Sequence, residues 1–303
     1  MKKLSEYGIG NTPLHVIEIN GNRISFKLER FNYLGSIKSR TAYYLIDRIK
    51  QEVLREKKEF QSQKIKICES TSGNLGLALN YFCKTEGYEF RCLTDETVSC
   101  RKLEKLKKSR ADYEIVGLIE GLDHRDSRIR RAKELEKQGY YWTNQYDNPA
   151  AIQAHYETTG PELFRQTEGK ISHLICAMGT GGTIIGTGMY LKMKIPGIKV
   201  IGVEPYGSTI FGSEEAPYIS AGAGMKGMPG NISKHAGLID SYKTVKDEDS
   251  IRTCKRLEEQ YGLSVGITSG MAFYAAEELM ENDSGNDIVV ICPDGKECYG
   301  QYF

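Results

Sequence analysis

The chain alternates short apolar runs with longer amphipathic stretches along most of its length, and that alternation constrains its fold more than any other feature. The runs are "ISFKLE" from Ile24, "KIKICE" from Lys64, "EFRCL" from Glu89, "YEIVG" from Tyr113, "SHLICAM" from Ser172, "KVIGVEP" from Lys199 and "DIVVICP" from Asp287. Between them lie helical patterns with recognisable ends. "NLGLALNYFCKTEG" runs from Asn74 to a stop at Gly87, "SCRKLEKLKKS" opens on a capping residue at Ser99, and "DSRIRRAKELEKQG" stops at Gly139. "TIIGTGMYLKMK", "KDEDSIRTCKRLEEQYG" and "SGMAFYAAEELMEN" supply further helices. Strands that are short and continuously apolar suit parallel sheets buried on both faces by helices. The expected class is therefore α/β, with mostly parallel twisted sheets covered by helices.

At 303 residues the chain can form one large domain or two smaller ones. The alternation breaks near "YYWTNQYDNPAAIQAHYETTGPELF", which places a crossing between two domains near Gln145. The expected large domain takes residues 1–38 and 145–303, and the small one 39–144. Thr159 and Glu162, with Pro161 between them, read as a capping box that opens another helix. Residues 206–237 lack clear periodicity, and a loop of that length in an α/β domain is usually functional or mobile.

Charge and cysteine usage narrow the class of partner. The formal net charge is +1, and basic residues alternate with acids within the same helices, as in "DRIKQEVLREKKEF". Neither a nucleic-acid nor a membrane partner is expected. No apolar run is long enough to span a bilayer, and "MKKLSEYGIGNTPL" lacks the apolar core of a signal peptide. The eight cysteines include no C-x-x-C, and the five histidines are scattered. A reduced, cytoplasmic protein without a structural metal is the expectation.

The chemistry concentrates in turns of small residues between a strand and a helix. "LICAM" runs into Gly179, Thr180, Gly181, Gly182 and Thr183, and then a helix. Amides at such a helix start converge on an anion, with the threonines as added donors. The alternative is a tight turn with no ligand. "KICE" runs into Ser70, Thr71, Ser72, Gly73 and Asn74, which suits a carboxylate or simple capping by Thr71 or Ser72. "GITSGMAF" places Thr268, Ser269 and Gly270 before another helix. In doubly wound sheets ligands sit at the carboxyl ends of strands, where these turns lie.

"LGSIKSRTAYYLI" reads as a helix start, with Ser36 as cap and Lys38 just inside. A cation is poorly placed there, because a helix N-terminus carries partial positive charge. That position and a desolvated site both favour the neutral amine. A phosphate cradle, a carboxylate cradle and a reactive lysine point to pyridoxal phosphate, whose aldehyde forms a Schiff base with lysine.

These motifs resemble the fold-type II pyridoxal-phosphate enzymes, specifically the cysteine synthase and cystathionine beta-synthase family. The likeness is collinear: "GNTPL", "KLERFNYLGSIKSR", "ESTSGNLG", "NQYDNPAAIQAHYETTGPEL", "GTGGTIIGTGMYLK", "GVEP", "GITSGMA" and "VVICPDGKECY". The resemblance implies two α/β domains with the cofactor in the cleft between them. By position it implies that Lys38 holds the cofactor and later moves the α-proton, and that Asn74 bonds the ring oxygen. Gly179 to Thr183 would bind the phosphate, and Ser269 would meet the ring nitrogen. Thr71, Ser72, Gly73 and Gln145 would hold the substrate carboxylate. A neutral serine at the ring nitrogen makes the cofactor a weaker electron sink than an aspartate would. That favours β-elimination to an aminoacrylate and addition of a nucleophile over transamination.

The implied reaction is β-replacement on O-acetylserine or O-phosphoserine, with sulfide as nucleophile giving cysteine. Small amino acids would be the substrates and a homodimer the assembly. Three departures bear on the substrate. Tyr33 and Ser39 stand where the family usually has Pro and Asp, and Leu75 stands where the carboxylate loop usually has a threonine. The Asn-Leu version, with "GSTIFG", resembles the branch that makes a diaminopropionate precursor with glutamate's amine as nucleophile. A lyase eliminating from cysteine or serine shares the same start, and a catalytically silent binding protein is the non-enzymatic alternative. In "AGAGMKGMPGN", Lys226, Gly227 and Met228 precede Pro229 where cysteine synthases usually have an apolar Gly-Phe-(Ile/Val)-Pro, and Lys226 is either a contact for an anionic group or a solvated loop lysine. Arg125 and Tyr146 are weaker candidates for a carboxylate-bearing nucleophile, and His155 reads as structural.

Overall fold

The computed structural model describes residues 1–55, 64–71, 73–220, 222–300 and 302–303. It contains two sheets. The larger has six strands: β1 (Leu14–Ile19), β2 (Asn22–Leu28), β7 (His173–Ala177), β8 (Lys199–Pro205), β9 (Ser241–Val245) and β10 (Asp287–Cys292), in the order β1-β2-β10-β7-β8-β9. The smaller has four: β3 (Lys66–Ser70), β4 (Glu89–Thr94), β5 (Asp112–Ile115) and β6 (Tyr141–Trp142), in the order β5-β4-β3-β6. All pairings are parallel except β1 with β2. That one antiparallel pair departs from the parallel expectation. Asn20 and Gly21, both at positive φ (50° and 74°), form the two-residue turn that joins it.

The helices are α1 (Lys38–Arg55), α2 (Asn74–Glu86), α3 (Cys100–Lys108), α4 (His124–Lys137), α5 (Pro149–Ala154), α6 (Gly160–Gln166), α7 (Gly182–Lys194), α8 (Gly230–Ser233), α9 (Asp247–Tyr261) and α10 (Ile267–Asn282). Among the described residues no helix is long and apolar enough to cross a membrane.

The continuous apolar runs are explained by helices on both sheet faces. In β10, Ile288, Val290 and Cys292 join the core with α9 and α10, while Val289 and Ile291 join the core with α7. In the small sheet, Ile67, Phe90 and Cys92 pack with α1 and α2, whereas Cys68 and Leu93 meet Ala132 and Leu135 of α4. Tyr7 and Ile9, near the N-terminus, pack into the small-sheet core. All eight cysteines are free thiols.

Two capping expectations are corrected. Thr159 lies inside a helical path that runs from α5 through a π-helical turn (His155–Thr159) into α6, and its backbone is itself helical. It caps nothing. Its hydroxyl bonds His155 Nδ1 (2.9 Å), and Glu162 is committed to cations. Ser36 Oγ is buried without a hydrogen-bond partner among the described residues, so it does not cap α1.

In the first turn of α1, Arg40 is fully buried between two carboxylates. Its guanidinium meets Glu29 through Nε (2.7 Å) and Nη2 (2.8 Å), and Glu162 through Nη1 (2.7 Å). Lys27 also reaches Glu162 (2.9 Å). Burial pushes both acids upward, but Arg40 outweighs it, holding Glu29 below the usual range and Glu162 at about 2. This network fixes the frame from which Lys38, two residues earlier, projects.

Candidate active site

A cleft of about 550 Å³ opens where β3, β7, β8 and β10 end at their carboxyl termini. Its lining gathers Lys38, Thr71, Gly73, Asn74, Gln145, Gly179, Thr180, Gly181, Gly182, Thr183 and Lys226, which are far apart in sequence. Ser269 is fully buried just behind, next to the lining residue Thr268. Ser72 lies outside the described residues.

Lys38 is the first residue of α1, half-buried, and lines the cleft. Burial lowers its pKa to about 8, and the charge of Glu69 only partly offsets this. An ordinary lysine is almost wholly protonated near neutrality, but this one has an accessible neutral form. Glu69 is itself buried and pushed up to about 7, although Thr143, the Gln145 amide, the Trp142 indole and the Ser70 amide all donate to it.

The Gly179–Thr183 turn is shaped by close approach. A side-chain carbon on Gly181, which has φ of +87°, would lie 2.4 Å from Ile232 Cγ1. One on Gly179 would lie 2.7 Å from the Gly222 carbonyl oxygen. Only glycine allows the backbone amides to stand at the cleft surface here. Asn231 fastens the turn by donating to the carbonyls of Thr180 (3.0 Å) and Gln145 (2.8 Å). Thr183 Oγ1 lies 3.3 Å from Nε2 of His155, a buried ring whose pKa is lowered to about 3 by burial. His155 is therefore neutral and structural in its contacts.

The carboxyl-terminal segment closes the opposite wall. Asp294 is pushed up to about 7 by burial, with Asn74 and Tyr299 donating to its Oδ2. Gln145 donates through Nε2 to the Ser70 carbonyl (3.1 Å). Among the described residues the Ser269 hydroxyl has no hydrogen-bond partner beyond the weakly accepting Cys292 thiol beside it. Arg128 meets Asp95 and Ser70 Oγ, and Tyr146 O–H donates to the Ser70 carbonyl (3.2 Å).

Lys226 is exposed at the cleft mouth and paired with Glu215 (2.9 Å). Arg125 is half-buried, and Nη1 donates to the Lys226 carbonyl (2.7 Å). Glu69, Asp294 and Asn231 lie inside the quoted stretches "ESTSGNLG", "VVICPDGKECY" and "AGAGMKGMPGN", but sequence reasoning gave them no role, because their contacts are with residues distant in the chain.

The arrangement fits a phosphorylated aldehyde. It offers an amine of lowered pKa, a glycine cradle at the start of α7, and a buried hydroxyl lacking a strong partner. Comparison with known proteins agrees. Residues 5–294 match the family model described as pyridoxal-phosphate dependent enzyme. A cysteine synthase of Staphylococcus aureus is 35% identical, covering 96% of this chain and 93% of that one. The crystal structure of an O-acetylserine dependent cystathionine beta-synthase from Helicobacter pylori has a TM-score of 0.87 at 30% identity, covering 99% of this chain and 97% of that one. A hydrogen sulfide-producing enzyme from Fusobacterium nucleatum has a TM-score of 0.86 at 30% identity, covering 96% of both chains. The chain belongs to the pyridoxal-phosphate dependent enzyme family, in its fold-type II cysteine synthase and cystathionine beta-synthase group. Pyridoxal phosphate is its cofactor.

Proposed function

We propose that the chain catalyses β-replacement on an O-activated L-serine, O-acetylserine or O-phosphoserine, with sulfide as nucleophile and cysteine as product. The observation that carries this reading is the lowered pKa of Lys38, set at the meeting point of two small-residue turns. The relation to cysteine synthases over nearly the whole chain supports it.

Bound through Lys38, pyridoxal phosphate supplies an electron-withdrawing ring that acidifies the substrate's α-proton. Amides and hydroxyls of Gly179 to Thr183 hold the phosphate at the start of α7. Asn74 donates to the ring oxygen, and Ser269 meets the ring nitrogen. Thr71, Ser72, Gly73 and Gln145 hold the substrate carboxylate, which aims the α-proton at Lys38. Once the substrate's amine has displaced it from the cofactor, Lys38 in its neutral form would take that proton. Ser269 brings no negative charge, so excess charge is relieved by departure of the β-group. The domains of this reading are 1–38 with 145–303 and 39–144, in keeping with the presence of two sheets, and the family likeness supports a cytoplasmic homodimer.

A second reading takes an amino-acid amine as the nucleophile. Leu75 in the carboxylate loop favours it as a feature shared with the amine-using branch, and the cations Arg125, Arg128 and Lys226 around the cleft suit an anionic co-substrate. A matrix of O-acetylserine or O-phosphoserine against sulfide, homocysteine and glutamate, read by product mass, tests both. Cysteine as the main product supports the first reading, and an N-linked product the second. Pyruvate alone would mark a lyase, and no turnover would oppose all of them.

A further inference from the structure

We propose that Lys102 is the cationic partner of the substrate α-carboxylate and takes over from the hydroxyl donor absent at Leu75. This rests on the reading above that the Thr71–Asn74 turn receives that carboxylate.

Four cations besides Lys38 line the cleft: Lys102, Arg125, Arg128 and Lys226. Three are engaged. Arg125 holds Asp126 and the Lys226 carbonyl, Arg128 holds Asp95, and Lys226 holds Glu215. Among the described residues no hydrogen bond or ion pair is made by the Lys102 amine. Asp294, the acid whose charge acts on it most, is instead bonded to Asn74 and Tyr299.

Lys102 is aimed at the carboxylate turn. A side-chain carbon placed on Gly73 would lie 3.8 Å from its Cε and 3.9 Å from its Nζ. Its position is fixed locally, because Ser99 caps α3 by accepting from the Lys102 amide (3.4 Å). Gly73 immediately precedes α2, whose first two residues are Asn74 and Leu75. Leu75 is buried and apolar and donates nothing from its side chain. An anion on this turn thus meets main-chain amides, the Thr71 hydroxyl and one free ammonium. Burial lowers the pKa of Lys102, so its charge is incompletely solvated and gains from an arriving carboxylate.

The test uses the cofactor-loaded enzyme and two ligands without a β-leaving group, L-alanine and ethylamine. Their dissociation constants are read from the change in cofactor absorption. Lys102→Gln is expected to weaken L-alanine roughly 10- to 100-fold, the range for a lost charged hydrogen bond, and leave ethylamine within about twofold. Lys102→Arg is expected to recover most of the loss. Adding Leu75→Thr to Lys102→Gln is expected to recover part of it. Equal weakening of both ligands, or of neither, would overturn the proposal. So would a loss seen with O-phosphoserine but not with L-alanine, which would assign Lys102 to the leaving group. A wild-type protein showing no cofactor absorption would overturn the underlying reading as well, whereas unchanged L-alanine binding with normal cofactor absorption would overturn Lys102 alone.

Discussion

Asn74 Nδ2 donates to Asp294 Oδ2 at 2.9 Å, tying the first residue of α2 to the segment that leaves β10. The bond crosses the cleft from the small sheet's helix to the large sheet's last strand. Its acceptor is a buried carboxyl whose pKa is pushed to about 7. The folded state therefore keeps a proton that the unfolded chain has already lost between about pH 4 and 7. Stability from this group is present at the acid side of that window and falls as pH rises through it. In cofactor-free protein, Asp294→Asn should flatten the decline of unfolding free energy with pH by on the order of 1 kcal/mol per pH unit. Glu69, raised in the same direction, supplies a remainder. Urea unfolding at pH 5, 6, 7 and 8 checks this, and identical slopes in wild type and variant would count against it.

Arg40→Met should cost about 3–5 kcal/mol, because it leaves Glu29 and Glu162 buried without their guanidinium. Equilibrium denaturation gives the number. A loss below about 1 kcal/mol would mean that Lys27 alone neutralises the cluster.

Much of this was legible in the sequence, and what was not has physical reasons. The seven apolar runs all appear as strands. The three strands that escaped, β1, β6 and β9, are each at a sheet edge, where one side lacks a partner and a continuous apolar run is not needed. In β9 only Val245 is buried. The β1–β2 hairpin did carry a signal in Asn20-Gly21. Thr159 and Glu162 have the spacing of a capping box, but the pattern does not show that Glu162 is claimed by Arg40 from 122 positions away. Lys38 and the glycine turn were readable because their chemistry is local. Lys102 and Asp294 were not, since their roles arise where chain segments distant in sequence meet.

Gly181→Ala should reduce cofactor retention sharply. Its positive φ and the 2.4 Å approach to Ile232 force either the turn or α8 to move. The strain is about 1–3 kcal/mol. Cofactor content after dialysis and the urea midpoint together check it, and full retention would show that the turn tolerates the shift.

Arg125→Ala should loosen the cleft mouth. The bond to the Lys226 carbonyl joins α4 to the Met225–Lys226 segment of the cleft wall. Hydrogen exchange at Lys226 and its neighbours should speed up about tenfold or more, the scale of one lost charged hydrogen bond. The thermal midpoint should move by only a few degrees. Unchanged exchange would show that the loop is held from its own side.

Borohydride reduction of the loaded enzyme, followed by proteolysis and peptide mass mapping, tests whether Lys38 carries the cofactor. A reduced pyridoxyl phosphate adduct is expected on the peptide containing Lys38, and none there in Lys38→Ala. An adduct on another lysine, or none in the wild-type protein, would contradict it.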